Sequence, residues 1–83
     1  MKNIFTYSEN EKVGFIEPSV ILESNRRAEI DKVSAIEEYT SQRVRMNLGK
    51  IILTIEGDDL SIGELSSERV TLTGSILSLS FSS

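Results

Sequence analysis

The last fourteen residues of the chain, VTLTGSILSLSFSS, contain no charged residue and no proline. High β-propensity combined with low charge is typical of a strand that pairs with any free strand edge and aggregates unless it is covered. Ser78, Ser80 and Ser82 stand where an edge strand facing solvent usually carries lysine. We therefore expect this segment to pair, either with the first strand of its own chain, which would close a barrel, or with a neighbouring molecule.

The small size of the chain also favours association. It has 83 residues without Cys or His, which excludes disulfides and the commonest zinc sites. Because a core of this size rarely supplies more than about 3–5 kcal/mol, we expect one domain that is supported by homo-oligomerisation. The net charge of −4 makes nucleic acid an unexpected partner. No apolar run approaches a membrane span and the opening residues are too polar for a signal peptide, which predicts a cytoplasmic protein without membrane insertion.

Period-two alternation of apolar residues and regularly spaced turn signals predict an all-β fold. Glycine is preferred where a two-residue hairpin loop needs a positive φ, so loops are predicted at Gly49, Gly57 and Gly74. The first of these loops would set Arg43 opposite Glu56. A bulge at Gly74 would explain the same change of phase.

The loop at Gly74 would place Leu72 opposite Leu77 and Val70 opposite Leu79. Three-residue loops are predicted at 40–42 and at 66–68. The first places Ile36 opposite Met46 and Glu37 opposite Arg45, and the second keeps Ile62 opposite Leu72.

These loops predict an antiparallel meander of about seven short strands that forms a small sandwich or a partly open barrel. Two strands lie near residues 20–23 and 27–33, and five more follow between about residues 34 and 81. The predicted β domain comprises residues 18–83. Residues 1–17 form an N-terminal tail whose aromatic and aliphatic side chains act either as a strap over the sheet or as a partner-binding segment.

The residue inventory predicts a protein that is not an enzyme and needs no cofactor. Without His or Cys, the usual general base and thiol nucleophile are missing. The richest acidic cluster, Glu56, Asp58 and Asp59, lacks the ligand spacing of a calcium loop. We interpret it as a polar hairpin tip, and a metal or ligand site there is the alternative hypothesis.

The arginines are the other candidates for a partner surface, beside the three serines of the final strand. They are Arg26, Arg27, Arg43 and Arg45. Because Arg43 and Arg45 alternate outward on one predicted strand, a solvated face with cross-strand ion pairs to Glu56 and Glu37 is the preferred interpretation. Tyr39 is expected either to stack on Arg43 or to seal the core.

From about Pro18 onward the chain resembles the YabP/YqfC sporulation proteins of endospore-forming Firmicutes. The resemblance lies in a Ser-Asn-Arg stretch, an Ile-x-x-Tyr strand end, an Arg-Val-Arg strand, a glycine turn and two glycine-containing strands. The matching positions are Ser24–Arg26, Ile36–Tyr39, Arg43–Arg45, Gly49, Ile55–Ile62 and Leu72–Phe81 with Gly74.

The resemblance implies a β-rich, non-enzymatic protein of the mother-cell cytoplasm that acts in spore-envelope assembly. It also implies a protein partner, such as a sporulation membrane protein. Our first hypothesis is a structural or adaptor protein that works by edge pairing. The alternative is a small ligand- or metal-binding regulatory domain.

Overall fold

The computed structural model describes residues 17–83, which form one antiparallel sheet of six strands. The strands are β1 Ser19–Glu23, β2 Arg27–Asp31, β3 Ala35–Tyr39, β4 Arg43–Asn47, β5 Ile52–Ser66 and β6 Arg69–Ser82. Their order across the sheet is β1-β2-β6-β5-β4-β3. The predicted all-β class is confirmed, and residues 17–83 contain six of its strands. No helix that could cross a membrane occurs in this part of the chain. The predicted tail, apart from Glu17, lies outside the described residues.

A long hairpin of β5 and β6 organises the sheet. These strands have 15 and 14 residues and pair along their whole length around a turn at Ser67 and Glu68. The first part of β5 pairs with β4, whereas the first part of β6 pairs with β2. Each short hairpin, β1-β2 or β3-β4, therefore extends a different half of the long hairpin.

The predicted hairpin loops at Gly57 and Gly74 are wrong, because both glycines lie inside continuous strands. The β5-β6 register shifts between Glu56 and Gly57 and again between Asp58 and Ser61. The bulge considered as an alternative at Gly74 is therefore the observed arrangement. Bulges bend a strand without ending it, so two long strands occupy the place of four predicted short ones.

Glycine is needed at these bulges because the two strands approach closely there. A Cβ atom at Gly74, whose φ is 135°, would lie 2.5 Å from the carbonyl oxygen of Asp59. A Cβ atom at Gly57 would overlap the carbonyl oxygen of Ser75. The same residue type that marks a hairpin loop in the sequence therefore marks a backbone contact in the structure.

The predicted loop at Gly49 is confirmed. Gly49 has a φ of 102°, and the N–H of Leu48 donates to the carbonyl oxygen of Ile51 at 2.9 Å. The predicted pairing of Arg43 with Glu56 is also present.

Other predicted registers are confirmed only in part. Ile36 lies opposite Met46 and Ile62 lies opposite Leu72, as predicted. A bulge between Ile36 and Glu38 leaves Glu37 without a directly opposed residue, so Arg45 faces Glu38 and not Glu37. The pairs predicted across a Gly74 loop are absent, since Val70 faces Leu65 and Ile30, while Leu79 faces Ile55.

The turns of the two short hairpins bind the bulged middle of the long one. In the β3-β4 turn, the carbonyl oxygen of Gln42 accepts from Gly57 at 3.0 Å. In the β1-β2 turn, the carbonyl oxygen of Arg26 accepts from Gly74 at 3.1 Å and that of Asn25 accepts from Ile76 at 2.8 Å. Backbone groups that the bulges remove from the ladder therefore find partners in the turns.

The buried side chains of both halves form a single core. Its members are Ala28, Ile30, Val33, Val44, Met46, Leu48, Leu53, Ile55, Leu60, Val70, Leu72 and Ile76. Backbone and side-chain contacts also connect the β3 side to the end of the long hairpin. The N–H of Val33 donates to the carbonyl oxygen of Glu68 at 2.8 Å, and the N–H of Ile62 donates to the Tyr39 hydroxyl at 3.0 Å. The sheet thus curves around one core as a partly open barrel.

Replacement of Gly74 by alanine tests the close approach of the strands. Because the added methyl meets the Asp59 carbonyl and strains a positive φ, we expect Gly74→Ala to lower the free energy of unfolding by about 2–4 kcal/mol in urea titrations. Gly63→Ala is the matched control, since the nearest atom to its Cβ would lie 4.0 Å away. Equal stabilities of the two variants would contradict the assignment.

Removal of the Tyr39 hydroxyl tests the link across the barrel. Tyr39→Phe keeps the ring and removes only the group that accepts from the Ile62 N–H. We expect a loss of about 0.5–1.5 kcal/mol in the free energy of unfolding and faster hydrogen exchange at the Ile62 amide. Unchanged exchange at this amide would show that the hydroxyl does not bridge the strands in solution.

Candidate partner-binding surface

The second half of β6 has one edge without a strand partner in residues 17–83. On that side β2 pairs only with Val70–Thr73, and beyond it the Ile76 N–H donates to the carbonyl oxygen of Asn25. β1 pairs with β2 alone, so closure of the sheet by the first strand is absent from the described residues. Pairing with a neighbouring molecule stays a prediction.

Side chains along this edge alternate between the core and the outer face. Leu79 and Phe81 follow the core face because they lie opposite Ile55 and Leu53. Phe81 nevertheless keeps 54% of its surface exposed, and the bulge residue Leu77 keeps 67%. The edge therefore presents two large apolar side chains to solvent.

The candidate serines lie on the outer face beside this edge. Ser78 is opposite Glu56, and Ser80 is opposite Thr54. Together with Ser82, they leave the rim of the outer face small and uncharged. The sequence signal for this surface was the uncharged final run. The exposure of Leu77 could not be predicted, because the predicted Gly74 loop placed that side chain in the core.

Apolar side chains are also exposed on β1. Leu22, which lies opposite Ala28, keeps 51% of its surface exposed, and Ile21 keeps 60%. The contact between Asn25 and Ile76 holds the turn after β1 against the start of the free edge of β6. The exposed residues of β1 therefore belong to a hairpin whose turn contacts the start of the free edge.

The structure separates the four candidate arginines into two pairs. Arg43 and Arg45 lie on β4, whereas Arg27 lies on β2 and Arg26 lies in the turn before it. Since β6 and β5 separate β2 from β4, the arginines do not form one patch. The β4 pair lies across β5 from the serines of the free edge, since Arg43 is opposite Glu56 and Glu56 is opposite Ser78.

Arg43 and Arg45 take part in cross-strand ion pairs, in agreement with the solvated-face interpretation. The Arg43 guanidinium donates to one Glu56 carboxylate oxygen from Nε at 3.0 Å and from Nη2 at 2.7 Å. This hydrogen bond, followed by the charges of Glu56 and Glu38, raises the pKa of Arg43 above its usual value. Nη1 of Arg45 lies 3.8 Å from Oε1 of Glu38, so Arg45 pairs with Glu38 and not with Glu37 as predicted. These arginines are thus already neutralised within the sheet.

The β2 pair is arranged differently. The Arg27 guanidinium lies 3.8 Å from the carboxylate of the exposed Glu23 and 3.7 Å from that of the half-buried Glu29, and ion pairs this open to solvent contribute little. Arg26 binds the long hairpin through its carbonyl oxygen, as described above. Its backbone therefore has a structural role, while the residue itself is exposed.

The acidic stretch at Glu56, Asp58 and Asp59 is not the hairpin tip that the sequence predicted. It lies in the middle of β5 beside the bulge, where Glu56 binds Arg43 and Asp58 pairs with Ser75. Within residues 17–83, no group of three acidic side chains is placed to hold a metal ion.

An ion pair with a defined geometry joins β2 to β6 on the outer face. Arg69 donates from Nε to Oδ1 of Asp31 at 2.9 Å and from Nη2 to Oδ2 at 3.2 Å. The hydrogen bond from Arg69 is the main reason that the pKa of Asp31 lies below its usual range. The same contact raises the pKa of Arg69.

This pair predicts a pH-dependent contribution to stability. A carboxyl whose pKa is lowered by folding stabilises the native state above its ordinary pKa of 3.8, and this contribution disappears as the pH falls through the lowered value. Asp31→Asn should therefore be less stable than the native chain at pH 7, with the difference shrinking below about pH 4. Asp58→Asn serves as the exposed control. A difference that stays constant from pH 7 to pH 2 would contradict the ion pair.

The chain matches one family of known proteins. The model of the YabP family matches residues 16–83, which include the whole described sheet. No curated protein and no solved structure matches the chain. The matched range also agrees with the resemblance seen in the glycines, the arginine strand and the final strand. The chain therefore belongs to the YabP family.

Proposed function

We propose that this chain is a structural or adaptor protein of sporulation that acts by docking protein segments during spore-envelope assembly. Membership of the YabP family supports the connection with sporulation. The observation that carries the docking proposal is the free edge of β6, which has no strand partner among residues 17–83 and exposes the side chains of Leu77 and Phe81.

An open strand edge binds an extended segment through backbone hydrogen bonds, and neighbouring apolar side chains add affinity. Soluble proteins usually protect such edges with charge, proline or a covering element. Here the segment from Val70 onward has neither charge nor proline. An edge with these properties is better suited to a partner than to permanent contact with water.

The proposed setting is the cytoplasm of the mother cell, and the proposed partners include a sporulation membrane protein that presents an extended segment. The chain in this proposal supplies binding and shape, without catalysis. The observations favour this role over a regulatory metal or ligand site, because the strongest acidic candidate, Glu56, is held by Arg43.

A charge placed on the edge tests the proposal in a sporulating host that encodes this chain. Ser80→Lys puts a charged side chain on the free strand, which should oppose docking and lower the yield of heat-resistant spores towards that of a strain lacking the chain. Thr54→Lys is the matched control. Thr54 lies directly opposite Ser80 on the same face, on a strand that is paired on both sides.

Normal spores from the Ser80→Lys strain, combined with a defect in the strain lacking the chain, would contradict docking at this edge. Normal spores from the strain lacking the chain would contradict the sporulation role itself. Heat-resistant colony counts and immunoblots of chain abundance distinguish these outcomes from simple loss of the protein.

A further inference from the structure

We infer that the free edge of β6 pairs with the same edge of a second copy of this chain, antiparallel and with the two-fold axis at Leu79. The inference rests on the proposed function only in that both use this edge. The order of side chains along the strand supplies the argument for the occupant of the edge and for the register of the pairing.

Two-fold symmetry restricts how a strand can pair with its own copy. An antiparallel pair has its axis perpendicular to the sheet, so residues at equal distances before and after the axis lie opposite each other. Each side chain then keeps its face, and the core faces of the two copies become continuous. An axis at Leu79 places Leu77 of one copy opposite Phe81 of the other, and it does so twice.

This register is favoured because it joins the exposed apolar side chains of the edge. Leu77 is 67% exposed and Phe81 is 54% exposed, and each lies two residues from Leu79 along the strand. An axis at Ser78 or Ser80 would place neither side chain opposite the other. Aromatic–aliphatic pairs directly across two strands are favourable, so the Leu79 axis covers both exposed groups.

The outer face fits the same arrangement. With the axis at Leu79, Ser78 lies opposite Ser80 of the second copy, so only small side chains meet. Two copies that each carry a net charge of −4 repel overall, but the stretch from residue 70 to residue 83 contributes no charge to the contact. The nearest acidic side chain on the adjoining strand, Glu56, is bound to Arg43.

The order of side chains along the edge favours a second copy as the occupant over an unrelated segment. An isologous interface needs a patch that is complementary to itself, and the order Leu77-Ser78-Leu79-Ser80-Phe81 meets this need about its central residue. The product is a continuous sheet through β5, β6, β6 and β5 of the two copies. Because a single strand pair is a small interface, we expect a dimer that dissociates on dilution.

A charge-swap cycle tests both the partner and the register. We measure the mass of the full chain in solution across a dilution series for the native protein, Leu77→Lys, Phe81→Glu and the Leu77→Lys/Phe81→Glu double variant. Each single change should shift the dimer to a monomer. The double change should restore the dimer, since each lysine then faces a glutamate of the other copy.

Leu65→Lys is the matched control, because Leu65 is also 63% exposed but lies at the other end of the long hairpin. It should dimerise like the native chain. Circular dichroism establishes that each variant is folded. A native chain that is monomeric at all concentrations, or a double variant that stays monomeric, would overturn the inference.

Cysteine cross-linking measures the register independently, since the chain has no cysteine of its own. In an equimolar mixture of Ser78→Cys and Ser80→Cys chains, the mixed disulfide should clearly exceed the half share that random pairing gives, because these positions are opposed. A predominance of homodimeric disulfides would overturn the Leu79 axis.

The spore assay separates this inference from the proposed function. A monomeric native chain whose Ser80→Lys variant still fails to support spores would mean that another protein occupies the edge, which overturns only the inference. A dimer with the Leu79 register whose disruption leaves spores normal would overturn the proposed function and leave the interface established.

Discussion

Close approach of β5 and β6 at their bulges holds the two short hairpins in place and brings the sheet around one core. Gly57 and Gly74 let the two backbones approach where a Cβ atom would collide with a carbonyl group. The bulges displace backbone groups from the ladder, and the turns of both short hairpins bind there. One long hairpin therefore provides attachment for two short ones, and their apolar faces meet in a single core.

This arrangement also determines which edge stays open. Since β2 pairs with β6 only before the bulge, one side of the remainder of β6 has no strand partner in the part of the chain that the structure describes. On the opposite side of the barrel, the Tyr39 hydroxyl and the Val33 amide connect the β3 side to the end of the long hairpin. The same bulges that organise the core therefore also leave this edge of β6 accessible. The candidate partner-binding surface is thus a direct consequence of the fold.

Local patterns predicted the all-β class, the Gly49 turn and the register of Arg43 with Glu56. They failed at Gly57 and Gly74, because a glycine required by a contact between distant strands has the same local appearance as one required by a hairpin loop. Arg45 met Glu38 instead of Glu37 because of a bulge that no local pattern marks. For the site, the uncharged final strand was visible in the sequence, whereas the exposure of Leu77 depends on long-range pairing.

Hydrogen exchange along β6, measured at several protein concentrations, shows whether the free edge pairs with a second copy. If the free edge pairs with a second copy, alternate amides between Leu77 and Ser82, those directed away from β5, should exchange rapidly in dilute solution and become protected as the concentration rises. Protection of these amides that does not change with concentration would contradict the claim, because it would mean that the edge is already paired within one molecule.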